Sequence, residues 1–259
     1  MTYCVATNLQ QGLVFLSDSR TNAGMDQVST FRKMTVYERP GDRVLVLMSA
    51  GNLAITQSVR DILQSAPESE SLWSAATMAE AAARVGAAVR KVHARDHAAL
   101  TEFGIEFNCS FILGGQIRGE ACRLFQVYAA GNYIEAQAES PYLQIGESKY
   151  GKPILDRVIT PETDLDDAMK CVLISMDSTL KSNISVGLPL DLLVYRADEL
   201  KVSRFVSITE KNPYFDLIHQ AWGRLIREAF AGLPSPDWNA MGTEASRPVF
   251  ERMIRSVDQ

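Results

Sequence analysis

The alternation of apolar and polar positions divides the first half of the chain into strands followed by helices. Short runs of β-branched and aromatic residues predict four strands, the first two and the last two each forming a hairpin across a turn, at residues 3–9, 12–17, 32–38 and 42–50. A polar loop is expected at residues 22–30. In residues 52–64 and 75–95 the apolar positions recur at i, i+3, i+4 and i+7, which predicts two amphipathic helices.

The second half shows the same order again. Strand patterns lie at residues 106–114, 122–129 and 139–145, helical patterns at 150–158 and 163–180, and strand patterns at 189–196 and 202–208. Two stacked sheets, each covered by a helix pair, would bury every apolar face in this order. We therefore predict an α+β fold, a four-layer αββα sandwich, as a domain over residues 1–212.

The remaining residues, 213–259, predict an extension of two helices, one ending near Phe230 and one around 247–257. Large apolar side chains are frequent in it: Tyr214, Phe215, Ile218, Trp222, Leu225, Ile226, Phe230, Phe250 and Ile254. Burial against the same domain is one outcome. We expect instead that the extension bridges neighbouring copies in a large homo-oligomer, either a ring or a spiral.

Composition excludes several classes of protein. The net charge is −5 with no basic stripe, which argues against a nucleic-acid partner, because such binding depends on Lys and Arg. The sequence contains no apolar run that resembles a membrane span, so we expect no membrane partner. The four cysteines lie in apolar runs without CxxC spacing, and no secretory leader pattern precedes them, so we expect reduced, buried thiols in a cytoplasmic protein.

The N-terminus is the first candidate for chemistry. Met1 precedes Thr2, and a small second residue favours removal of the methionine. Thr2 would then carry a hydroxyl and a free α-amine on one residue, and an α-amine titrates close to neutral pH, as a general base requires. A Met-Thr start also occurs by chance in proteins that do not use it.

Three further positions strengthen the candidate. Asp18 ends the second predicted strand and Lys33 opens the third, so both would lie beside the first strand if the four strands pair in order. A lysine there would lower the pKa of the Thr2 hydroxyl and amine, and a carboxylate would orient it. Gly51, in the turn Ser49–Asn52 before a helix, could donate its N–H to an oxyanion. Alternatively, the aspartate and lysine are ordinary surface residues at strand ends.

This combination resembles the β-type subunits of proteasomes, which are N-terminal-nucleophile hydrolases, and most of all their bacterial relatives called Anbu. The resemblance implies a threonine peptidase or amide hydrolase without cofactor or metal, acting on a peptide or amide. Thr2 would be the nucleophile, Asp18 and Lys33 its supports and Gly51 the oxyanion donor. By family position, Ser49 and Leu53 would form pocket walls, which favours an uncharged side chain at the cleavage site.

Two supporting motifs differ from the family pattern. Gly146-Glu147-Ser148 stands where the family has Gly-Ser-Gly, and the segment from Ser182 to Val186 stands for Asp-x-x-Ser-Gly with Ser185 kept. Ser148, Ser182 and Ser185 are therefore the candidate supporting residues, in a weakened shell around the amine. This keeps open the alternative of a catalytically weak or inactive self-assembling or binding protein on the same fold.

Two other motifs offer weaker alternatives. Residues 146–152 match the G-x-x-x-x-G-K skeleton of a phosphate-binding loop, which would suggest a nucleotide-binding protein, but Pro153 stands where Ser or Thr should bind Mg²⁺. His93 and His97 have a spacing that could hold a metal, yet a third ligand is not evident. We interpret this pair as part of a solvated helix face.

Overall fold

The computed structural model describes residues 1–22, 28–237 and 241. Within these residues lie twelve strands and five α-helices. In chain order they are β1 (Tyr3–Leu9), β2 (Gly12–Asp18), β3 (Arg20–Asn22), β4 (Val28–Thr30), β5 (Met34–Arg39), β6 (Arg43–Gly51), α1 (Leu53–Ser65), α2 (Met78–Glu102), β7 (Cys109–Ile117), β8 (Arg123–Val127), β9 (Tyr133–Glu135), β10 (Tyr142–Gly146), α3 (Lys152–Val158), α4 (Leu165–Ser182), β11 (Leu190–Arg196), β12 (Arg204–Ile208) and α5 (Pro213–Ala231).

The strands form two five-stranded antiparallel sheets, which we name by position. The N-terminal sheet has the order β10-β1-β2-β11-β12, and the second sheet has the order β5-β6-β7-β8-β9. Both predicted hairpins are present, but the four long strands do not all pair in order, because β2 and β5 belong to different sheets. A small sheet of β3 and β4 occupies part of the segment predicted as a polar loop.

Three apolar cores confirm the predicted four-layer αββα sandwich. Alternate residues of β1 face opposite ways: Tyr3 and Val5 pack against the helix pair α3 and α4, whereas Cys4 and Ala6 face the other sheet. The second sheet packs its outer face against α1 and α2. The inner core between the sheets is built from apolar residues of both, among them Phe15 of β2 and Met48 of β6.

Helix starts follow the capping residues. Thr77 accepts a hydrogen bond from the Glu80 N–H, and Glu80 accepts one from the Ala76 N–H, so α2 begins at Met78, three residues later than its predicted start. Asp164 caps α4 in the same way, through the Asp167 N–H. Each cap satisfies an N–H group that has no partner within its helix.

The chain divides into a compact unit from Met1 to His219 and a second unit from Gln220 onward. Helix α5 begins in the first unit, where Phe215 and Ile218 are buried in the core beside α4. The predicted helix around 247–257 lies outside the described residues. Across the part of the chain that the structure describes, no helix combines the length and the apolar character that crossing a membrane needs.

All four cysteines are unpaired, and burial sets their chemistry. Burial raises the pKa of the Cys109, Cys122 and Cys171 thiols to about 12 and also raises the pKa of Cys4. Thiols with so high a pKa carry almost no thiolate at neutral pH. We expect iodoacetamide at pH 7.5 to alkylate the native protein far more slowly than the urea-unfolded chain, as followed by intact mass. Rapid labelling of the native protein would contradict these burial assignments.

Candidate active site

A cavity of about 660 Å³ lies where the N-terminus meets the ends of both sheets. Its walls include five of the residues predicted from the sequence: Thr2, Lys33, Ser49, Gly51 and Leu53. Tertiary structure thus brings together residues that are up to 51 positions apart in the chain. The convergence of a hydroxyl, an ammonium group and a helix start in one cavity is typical of a site for chemistry.

Asp18 and Lys33 form a buried ion pair, of which Lys33 lines the cavity and Asp18 lies behind it, outside the wall. Lys33 Nζ lies 2.6 Å from Asp18 Oδ1, and it also donates to the Arg20 carbonyl oxygen at 2.8 Å. The same Asp18 oxygen accepts the Tyr3 N–H at 3.0 Å. Burial raises the pKa of the Asp18 carboxyl, and the Lys33 ammonium opposes that rise. Both side chains are buried, so they are not the surface residues of the alternative interpretation.

Lys33 reaches Asp18 from the other sheet. Register in the N-terminal sheet pairs Cys4 with Ser17, which places Asp18 beside the start of β1. Lys33 precedes β5, and its carbonyl oxygen accepts the Ser49 N–H of β6 at 3.1 Å. The pair therefore joins the two sheets at the end where the cavity opens.

Removing Lys33 alone would leave a buried carboxylate without its partner. We expect Lys33→Ala to lower the free energy of unfolding by about 3–5 kcal/mol, measured by urea denaturation, because an unpaired buried charge is costly. The double variant Lys33→Met with Asp18→Asn should recover much of that loss. Equal stability of wild type and Lys33→Ala would show that the pair does not hold the sheet ends together.

Thr2 is held through its backbone by the turn after β10. Its carbonyl oxygen accepts the Glu147 N–H at 2.7 Å, and β1 pairs Tyr3 with Gly146. Gly146 has a φ of 82°, and a Cβ there would lie 1.9 Å from the Thr2 oxygen. Only glycine permits this approach. These contacts leave the Thr2 side chain free to face the cavity that it lines.

The strand-to-helix turn forms the opposite wall. Gly51 ends β6 with a φ of 111°, and Asn52 caps α1 by accepting the Ala54 N–H. The N-terminus of α1 therefore lies at the cavity, with Leu53 as its first residue. A helix start carries partial positive charge and favours an anion. The oxyanion role of the Gly51 N–H remains a prediction, and this geometry supports it.

The three supporting serines are not in the cavity wall. Ser182 is an exposed residue at the end of α4, and Ser185 is half-buried with its N–H on Asn183 Oδ1. Ser148 lies in the turn after β10, where its N–H contacts the Gly146 carbonyl oxygen. Their predicted support of the amine therefore stays a prediction without a direct contact in this structure.

Sequence reasoning missed several residues of the wall. Arg20, Phe31, Thr56, Asn108 and Ser110 line the cavity together with Glu147. Asn108 reaches it because β7 pairs with β6 up to Gly51 and Cys109, a register that the sequence pattern does not reveal. The Asn183 side chain, from the loop after α4, lies 3.8 Å from the sulfur of Met1.

The residues of the two weaker motifs have partners of their own in the structure. Lys152, the lysine of the phosphate-loop skeleton, donates to the Tyr142 hydroxyl and to Asp156 Oδ1, both at 2.8 Å. Its ammonium group is therefore bound to residues of β10 and α3. His93 and His97 stack with ring centres 4.4 Å apart. Among the described residues, no three His, Cys, Asp or Glu side chains are arranged to hold a metal ion.

Comparisons with known proteins agree with this geometry. The sequence profile of the proteasome subunit family matches residues 2–191. Among solved structures, the Anbu (ancestral beta-subunit) protein from Yersinia bercovieri is 52% identical, with a TM-score of 0.85, covering 92% of this chain and 100% of that one. The chain belongs to the Anbu group of the proteasome-subunit family.

Two further Anbu structures resemble this family member closely. The Anbu complex from Pseudomonas aeruginosa, described as a helical assembly, is 47% identical with a TM-score of 0.87, and the match covers 92% of this chain and 99% of that one. A Gly-1 mutant of Anbu from Hyphomicrobium sp. strain MC1 is 45% identical with a TM-score of 0.86, and the match covers 92% of this chain and 100% of that one. No curated protein gives a significant match.

Proposed function

We propose that this Anbu-family chain is a proteasome-like threonine peptidase or amide hydrolase in which Thr2 is the nucleophile after removal of Met1. The observation that carries the proposal is the buried Lys33–Asp18 pair, 2.6 Å apart, whose lysine lines the same cavity as Thr2. A buried ammonium group beside a hydroxyl and an amine stabilises their deprotonated forms. The four unpaired thiols, three of them buried and that of Cys122 half-buried, support a reducing compartment such as the cytoplasm.

The reaction would proceed by acyl transfer. Thr2 Oγ1 attacks the amide carbonyl carbon, and the Thr2 α-amine takes the hydroxyl proton, directly or through one water. The Gly51 N–H, at the start of α1, stabilises the oxyanion of the tetrahedral intermediate. Collapse of the intermediate expels the amine with that proton and leaves an ester on Thr2. A water then cleaves the ester by the same steps and restores the hydroxyl.

The substrate would present an uncharged side chain to the wall that Ser49, Leu53 and Phe31 form. Lys33 belongs to the same wall, but its charge is compensated by Asp18. Profiling a library of short peptides with the processed protein tests the proposal. Cleavage next to uncharged residues, which disappears when Met1 is retained, is the expected result.

Retention of Met1 would block this chemistry, because the Thr2 nitrogen would then be an amide. In the structure Met1 is exposed, so a methionine aminopeptidase can reach it. Intact mass of the purified protein distinguishes the two forms. If the processed protein hydrolyses no peptide, that result favours the second candidate, a self-assembling or binding protein. The absence of the three supporting serines from the cavity wall favours the same candidate.

We further propose that the chain assembles with itself, as the Pseudomonas aeruginosa complex does. The second half of α5 supports this proposal, since Leu225, Ile226 and Phe230 are exposed there. Such an apolar surface is unusual on a protein that stays monomeric.

A further inference from the structure

Glu147 lies directly across from Thr2. Its N–H donates to the Thr2 carbonyl oxygen at 2.7 Å, one position beyond the pairing of Tyr3 with Gly146. Glu147 also lines the cavity, and its side chain is only 16% exposed. The backbone hydrogen bond therefore holds residue 147 next to Thr2, and the two residues line the same cavity.

This carboxylate is poorly compensated in the present structure. Lys149 Nζ lies 3.8 Å from Glu147 Oε2, which exceeds a hydrogen-bond distance, and the Lys149 side chain is 70% exposed. An ion pair with so exposed a lysine contributes little. A terminal ammonium group on Thr2, the residue whose carbonyl oxygen the Glu147 N–H binds, would offer this carboxylate a second cation.

We propose that, once Met1 is removed, the Glu147 carboxylate accepts a hydrogen bond from the Thr2 α-ammonium group and holds the amine beside the Thr2 hydroxyl. This inference rests on the proposed function, because it requires Thr2 at the N-terminus. Glu147 is then a positioning residue for the general base. It acts on the amine and does not touch the substrate carbonyl.

The other charges around Thr2 determine the consequence. Among the described residues, Arg20 and Lys33 contribute positive charge to the cavity wall, and Asp18 compensates Lys33 at 2.6 Å. The positive groups favour the neutral amine, whereas Glu147 favours the charged one. Lys33 is already paired with Asp18, and Arg20 Nη1 donates to the Ile184 carbonyl oxygen at 3.1 Å, so we expect the effect of the Glu147 carboxylate to dominate. The amine therefore stays protonated to higher pH than the lysine alone would allow, and the enzyme is restrained near neutral pH.

Competitive acetylation of the α-amine tests this directly. A chain that begins at Thr2 is prepared by cleaving an N-terminal fusion, and acetic anhydride labelling of its amine is followed against pH by mass spectrometry of the N-terminal peptide. An opposite charge at this range shifts a pKa by about one unit or more, so Glu147→Gln should raise the unprotonated fraction at pH 6.5 up to about tenfold. Glu139→Gln, an exposed loop variant, is the matched control and should label like wild type.

The labelling midpoint is independent of turnover, which separates the two proposals. A midpoint lowered by Glu147→Gln supports the inference, and it does so even if the protein hydrolyses no peptide, in which case only the proposed function fails. An unchanged midpoint overturns the inference, even if peptides are cleaved. Since glutamine preserves the size and the backbone N–H of residue 147, a purely structural role would leave the midpoint where it is.

Discussion

Replacing Thr2 with alanine in the processed chain should abolish amide hydrolysis and leave the fold unchanged. The loss should be on the order of a thousandfold or more, because the variant removes the atom that forms the covalent intermediate. Residue 2 is held by the hydrogen bond from the Glu147 N–H to its carbonyl oxygen and by the pairing of Tyr3 with Gly146. Neither contact involves the hydroxyl. The measurement is the initial rate on the best peptide of the library, with circular dichroism and the urea midpoint to verify folding.

Thr2→Ser is the matched control, since it keeps a hydroxyl and an α-amine at the same position. It should retain measurable activity, whereas Thr2→Ala should not. If Thr2→Ala hydrolyses the peptide at the wild-type rate, the nucleophile is assigned wrongly and the activity belongs to another group. A wild-type protein that is inactive after verified removal of Met1 would point instead to the assembly or binding alternative.

Period and turn chemistry predicted the long elements, because each buries a continuous apolar face. Strands β3 and β9 were not predicted and β4 lies in the segment predicted as loop, since segments of three residues are too short to show a period. The pattern also did not show that the two hairpins belong to different sheets. Alternation reveals that a strand is buried, but it does not identify which neighbour it pairs with.

The candidate site, too, was predicted only in part from the sequence. Asp18 and Lys33 were predicted to lie beside the first strand, and they do meet there, yet Lys33 arrives from the opposite sheet. Contributions from the backbone escaped sequence reasoning. The Arg20 carbonyl oxygen that accepts from Lys33, and the close approach that Gly146 allows, depend on chain path and not on side-chain type.

Removing the second unit should break the assembly into smaller species. The sequence predicted an extension over residues 213–259, which would be the natural segment to delete. Within it, however, Phe215 and Ile218 belong to the core beside α4. Deletion of residues 220–259 spares that core and is the sharper variant. We expect a lower mass by light scattering at micromolar concentration, with the unfolding midpoint of the remaining unit largely preserved.

Point variants locate the contact more closely. Leu225, Ile226 and Phe230 are 46%, 49% and 76% exposed, and burying such side chains contributes about 1.5–3 kcal/mol each. Their combined replacement by glutamate should therefore dissociate the oligomer as the deletion does. Phe103→Glu, at the end of α2, removes an aromatic ring that is 77% exposed and should leave the oligomer intact.

An unchanged mass after both the deletion and the triple replacement would refute the bridging role of the extension, and so would a full-length protein that runs as a monomer at micromolar concentration. If bridging holds, each copy contacts the next through a head-to-tail surface. Repetition of such a contact closes a ring only when the rotation per copy divides a full turn without rise, and otherwise it continues as a spiral. Electron microscopy of the intact assembly would show which of the two rotations this chain adopts.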